Sequence, residues 1–94
     1  MSVWDWIKNK KPVDISLKKR MEDQVLVIYG STLEICYMNE IAEIVVEMSN
    51  GKYSIQDIVE KILLVYDIDE EELKNDILDL VRELQWKRLI RLRD

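Results

Sequence analysis

Three apolar stripes at helical spacing, each opened by a polar cap, follow one another through the second half of this chain. A short β run feeds into them, and that order is the plan of a small winged helix. Asn39 can accept a hydrogen bond from a free backbone N–H, and Ile41, Ile44, Val45 and Met48 recur behind it at helical spacing. Asn50-Gly51 ends that run, since glycine tolerates the left-handed conformation that follows a helix. Ser54 and Asp57 stand at capping-box spacing ahead of Ile55, Ile58, Val59, Ile62 and Tyr66. The third helix has the clearest start: Asp69 caps, Glu72 follows three residues on, and Ile68 and Leu73 occupy hydrophobic-staple positions. Leu73, Ile77, Leu80 and Leu84 make its core stripe. Leu78 and Val81 lie to one side, where they either widen the core face or floor a groove. Residues 86–89 close the helix and 89–92 form a short extended tail.

Ahead of the helices the apolar period shortens to two. Val13, Ile15 and Leu17 alternate with polar residues, as in a half-buried strand. Gln24 to Tyr29 is β-branched and apolar, a second strand. Gly30-Ser31 has the composition of a two-residue hairpin turn, and Thr32 to Met38 returns as the third strand. Leu33, Ile35 and Tyr37 share one face of it; Glu34, Cys36 and Met38 share the other. Both faces carry apolar residues, so alternation does not choose the buried one. The predicted fold is α+β, a small winged helix-turn-helix with a three-stranded antiparallel sheet followed by a three-helix bundle. Residues 1–12 read as an N-terminal arm, ended by Pro12, and 13–94 as the folded domain. Trp4 and Trp6 on the arm either fold back on the domain or dock a partner protein.

Several chemistries are excluded. The chain has no histidine and one cysteine, Cys36, which removes the commonest general base and any zinc site of ordinary composition. No glycine-rich phosphate loop is present. The acidic run Asp67, Asp69, Glu70, Glu71, Glu72 lacks the glycine and ligand spacing of a calcium loop and sits where a helix cap belongs. The reading is therefore a binding module without catalytic activity, cofactor or metal. The lone cysteine, the absence of a signal-like start and the absence of a long apolar run point to the cytoplasm.

Charge narrows the ligand. The net −5 divides into +4 over residues 1–20, −12 over 21–86 and +3 over 87–94. A winged-helix reader of DNA gains most of its affinity from phosphate contacts made by a basic helix. Here the third helix carries Glu70, Glu71, Glu72, Asp76, Asp79 and Glu83 against Lys74 and Arg82, and a duplex would repel it. Nucleic-acid binding is thus the second reading, and a structural adaptor for a folded enzyme a third. A peptide reader needs an open strand edge beside an apolar groove, which a three-stranded sheet next to an amphipathic helix offers.

The order of these signals resembles the PqqD-like family, whose fold is also called the RiPP recognition element. The resemblance rests on Met38-Asn39-Glu40, Met48-Ser49-Asn50-Gly51-Lys52, Ser54-Ile55-Gln56-Asp57-Ile58-Val59, Tyr66-Asp67-Ile68-Asp69 and Leu80 to Ile90, and spans about Val13 to Ile90. Met38 stands where the family has leucine, and the tryptophan-bearing arm has no family counterpart. The resemblance implies three strands followed by three helices. It also implies that the leader of a ribosomally made precursor peptide adds as a strand in the cleft between the third strand and third helix. The protein would be free-standing and present the precursor to a maturation enzyme, such as a radical S-adenosylmethionine enzyme or a lasso-type leader peptidase. Carried over by position, the cleft residues are Leu33, Ile35 and Tyr37 from the strand and Lys74, Leu78, Val81, Arg82 and Gln85 from the helix. Lys74 and Arg82 would pair with acidic leader residues, and Leu78 and Val81 would take apolar anchors.

Overall fold

The computed structural model describes residues 2–31 and 35–94. Its elements are α1 (Val3–Ile7), β1 (Lys11–Asp14), β2 (Lys18–Glu22), β3 (Val25–Tyr29), β4 (Ile35–Met38), α2 (Glu40–Glu47), α3 (Ile55–Val65), α4 (Glu70–Trp86) and β5 (Ile90–Arg93). Strands β2, β3 and β4 form a three-stranded antiparallel sheet in that order, and β1 pairs with β5 in a separate antiparallel ribbon. The fold is α+β and winged-helix-like, as the sequence pattern predicts.

The helix boundaries follow from local chemistry. Asn39 accepts from the Ala42 N–H at 2.8 Å and opens α2. Ser54 and Asp57 complete a reciprocal capping box at α3. Asp69 accepts from the Glu72 N–H at 3.0 Å at α4. The last turn of α4 closes with Arg88 in the left-handed region (φ 58°). The Leu89 N–H donates to the Leu84 carbonyl at 2.8 Å and the Arg88 N–H to the Gln85 carbonyl at 3.0 Å. Leu84 and Leu89 are both fully buried, which supplies the apolar contact of this type of helix end.

The β region departs from expectation in two places. The single strand expected over 13–17 is two strands, β1 and β2, with Ile15 and Leu17 exposed between them. Strand β2 reads Lys-Lys-Arg-Met-Glu, a composition that hides a strand. It lies at the sheet border, where charged side chains guard the edge and little needs burying. Glu22 pairs with Val25, so Asp23-Gln24 is a two-residue turn, and both residues have positive φ (50° and 69°) as a primed hairpin turn requires. The connection after β3 is longer than the expected two residues: Tyr29 pairs with Ile35, leaving 30–34 between them.

Leu26, Ile28, Cys36 and Met38 line the inner face of the sheet and join Val45, Ile58, Ile62, Leu73, Ile77 and Leu84 in one core. The arm belongs to this body. Trp4 and Ile7 pack on the core, and β1 is held by β5 and by the turn after α2, where Gly51 donates to the Pro12 carbonyl. Gly51 has φ +80°, and a Cβ there would lie 3.2 Å from the Arg93 guanidinium and 3.3 Å from Val13. No described helix is long and apolar enough to cross a membrane.

Candidate functional site

Strand β4 is a border strand. Its backbone pairs with β3 on one side, and among the described residues no strand pairs with the other. The open side therefore presents backbone donors and acceptors that a guest chain can satisfy. Alternation now has a direction. Cys36 and Met38 point into the core, while Ile35 and Tyr37 stand on the outer face, 50% and 68% exposed. Tyr29 pairs with Ile35 on that outer face, and Lys18 and Arg20 approach the Tyr29 ring at 6.0 and 5.8 Å. Leu33 falls outside the described residues.

The C-terminal end of α4 touches this strand. The Lys87 ammonium is 3.9 Å from the Cys36 sulfur and donates to Glu83 at 3.0 Å. Toward the other end of β4, a cavity of about 360 Å³ is lined by Asn39, Ile41, Asp76 and Leu80. Asp76, Leu80, Glu83 and Lys87 are spaced as one helical stripe of α4, and its last member, Lys87, touches β4.

The helix residues expected in the cleft are elsewhere. Val81 is 1% exposed and belongs to the core. Lys74, Leu78 and Arg82 line a groove of about 560 Å³ with Ser2, Val3 and Trp4. Gln85 lines grooves with Trp6, Leu92 and Arg88. The reason is geometric. Lys74 and Asp76, Leu78 and Leu80, and Gln85 and Lys87 are each two positions apart, so at about 100° per residue they project from opposite flanks of the helix. The structure brings Lys74, Leu78 and Arg82 together under α1 and does not bring them to β4. Lys74 is held by its neighbours. Its ammonium sits 5.2 Å from the Trp4 ring and 3.3 Å from the Glu70 carboxylate. Desolvation opposes its charge, but Glu70 and Glu71 outweigh that and hold its pKa above the ordinary lysine value.

The contact between α4 and β4 that sequence reasoning did not foresee is that of Lys87 with Cys36. Leu80, expected on the core stripe, packs against the core and also lines the cavity beside Asn39. Nothing local marks Lys87 as the residue that reaches the strand.

Among the described residues no three His, Cys, Asp or Glu side chains cluster to hold a metal. What the geometry offers is an open edge, an apolar-bottomed flank and mixed charges at the rim.

Residues 24–90 match the family model described as Coenzyme PQQ synthesis protein D (PqqD). This chain belongs to the PqqD family. No match was found among curated proteins or among solved structures. The PqqD match starts in the turn after β2 and ends at the first residue of β5, so it contains β3, β4 and all three large helices. It leaves α1, β1 and β2 outside. Membership in the PqqD family carries a coarse functional statement: the chain has a precursor-binding role in peptide-derived biosynthesis, as a peptide-binding accessory to a biosynthetic enzyme.

Proposed function

We propose that this chain binds the leader of a ribosomally made precursor peptide as an added strand on the open side of β4, against the α4 flank, and presents it to a maturation enzyme. The observation that carries the reading is the border of β4 on which, among the described residues, no strand pairs. Across the sheet, charged β2 guards the opposite border, whereas β4 reads Ile-Cys-Tyr-Met and has no charged residue to repel a pairing chain. A protein that leaves such an edge open risks aggregation unless the edge has a use.

Main-chain bonds contribute about 0.5–1.5 kcal/mol each, so a four-residue edge binds weakly by itself. Side chains must supply the rest. Guest residues that point inward meet Leu80 and the margin of the core; those that point outward extend the row of Ile35 and Tyr37. The maturation enzymes that fit this role are a radical S-adenosylmethionine enzyme or a leader peptidase, and the lone cysteine favours a cytoplasmic setting. The winged-helix alternative, duplex binding, is disfavoured by the acidic face of α4, where Glu70, Glu71, Glu72, Asp76, Asp79 and Glu83 are exposed.

Hydrogen exchange tests the proposal. With the leader from a short reading frame beside the gene, amides of β4 should exchange more slowly in the complex. Unchanged exchange at residues 35–38 under saturating peptide would remove strand addition as the mode of binding.

A further inference from the structure

The basic residues at the two ends of the chain are far apart in sequence but adjacent in the fold. The β1–β5 ribbon sets Lys11 opposite Arg93 and Val13 opposite Arg91. Arg88 sits at the neighbouring helix end. A groove of about 400 Å³ opens beside them, lined by apolar Ile15 and Leu92, polar Ser31 and Gln85, and the two cations Arg88 and Arg91. No acidic residue among the described ones lines it. Six of the other twelve cations have an acidic partner among the described residues: Lys8 with Asp5, Lys10 with Asp94, Lys19 with Asp14, Arg20 with Glu22, Lys74 with Glu70 and Lys87 with Glu83. Among the described residues neither Arg88 nor Arg91 has an acidic partner. The last carbonyls of α4, which would otherwise repel an anion, are occupied by the N–H groups of Arg88 and Leu89.

This groove lies at one end of the β4 edge. Ser31 follows Tyr29, the pairing partner of Ile35, so it stands at the Ile35 end of the sheet. Arg88 follows Lys87, which touches Cys36. A guest strand antiparallel to β4, the more stable arrangement, would start beside Met38 and leave beside Ile35. Its next residues would then run toward Arg88 and Arg91.

We infer that this groove is a second subsite of the same peptide site, and that it takes an acidic stretch immediately C-terminal to the strand-forming segment of the precursor. The inference rests on the strand-addition reading and adds to it the chemistry and the order of the ligand. Two observations support it: continuity with the β4 edge, and charge complementarity at two arginines that have no acidic partner among the described residues. The net charge of −5 does not forbid an acidic ligand, because at physiological salt charges beyond about 8 Å are largely screened and the nearest ones decide. A membrane surface or a nucleic acid would also meet these arginines, but either would extend past the groove onto the acidic body.

The test is selection of random sixteen-residue peptides displayed against the full chain, followed by the same selection against R88G/R91Q. Glycine suits the left-handed position of Arg88, so the helix end is kept, and circular dichroism checks the fold. Peptides enriched on the parent should carry an alternating apolar segment followed by Asp or Glu. The variant should keep the apolar segment and lose the acidic one, and parent-selected peptides should bind it about three- to tenfold more weakly, as for exposed ion pairs. Peptides that bind at residues 35–38 without an acidic bias, or with the same bias in parent and variant, overturn the second subsite alone. Enriched peptides that leave the amide signals of 35–38 unmoved, or no enrichment at all, overturn strand addition and the subsite with it.

Discussion

The ammonium of Lys87 lies 3.9 Å from the sulfur of Cys36, so the last turn of α4 is fastened to the first half of β4. The buried stripe Leu73, Ile77, Val81 and Leu84 seats the helix on the core, with Lys87 on one flank and Lys74, Leu78 and Arg82 on the other, beneath α1. The contact puts the single cysteine at the margin of the proposed site, where it is 8% exposed.

Cys36 is therefore a reporter. Iodoacetamide should alkylate it well below the rate of an unhindered thiol in the free protein, and more slowly still when a peptide occupies β4. Mass spectrometry over time reads both rates. Equal rates with and without a bound peptide would place the ligand elsewhere.

The two flanks of α4 should separate functionally. Trp4→Ala removes the ring that covers Lys74 and loosens α1, and it should lower stability by about 1–2 kcal/mol in urea unfolding. Peptide affinity should change less than twofold, because α1 lies on the flank away from β4. Leu78→Ser should behave alike. Leu80→Ser, on the β4 flank, should weaken peptide binding at least severalfold.

Backbone sign decides three further substitutions. Gly51 has φ +80° and its missing Cβ would crowd Val13 and Arg93, so Gly51→Ala should cost about 1–2 kcal/mol. Arg88 and Gln24 have φ of 58° and 69° without being glycine. Arg88→Gly and Gln24→Gly should each stabilise by about 0.5–1 kcal/mol in the same unfolding assay.

Acid should weaken the junction of β1 and β2. Asp14 is partly buried, which alone would raise its pKa, but Lys19 at 2.5 Å and two hydrogen bonds from Ser16 outweigh that and lower it. Its native pKa thus lies below the unfolded value of about 3.9. The stabilisation is present above that unfolded value and is lost as pH falls through the native one. Asp14→Asn should remove this part of the acid sensitivity while lowering stability at neutral pH, as thermal melts between pH 2 and 7 would show.

The caps and stripes of the three large helices were legible because each depends on residues within one turn of each other. Strand β2 was not, because Lys18 to Glu22 buries almost nothing and acquires its conformation from pairing with β3. The pairing of Pro12 with Leu92 joins chain ends that no local pattern links, although a short extended tail over 89–92 was expected. The flank of α4 that meets the sheet was illegible for a similar reason. Periodicity fixes which stripe is buried, and both flanks of that stripe carry an apolar residue beside charges, Leu78 on one and Leu80 on the other. The choice between them is made by how the helix lies across the sheet.

The most direct measurement is a residue-resolved titration of the isotope-labelled chain with its leader peptide, following backbone and methyl signals. The proposed site predicts that shifts concentrate at Ile35 to Met38 and on the Asp76, Leu80, Glu83 and Lys87 flank, with Trp4, Lys74 and Leu78 nearly still. Shifts gathered on Lys74, Leu78 and Arg82 while β4 stays unmoved would contradict it.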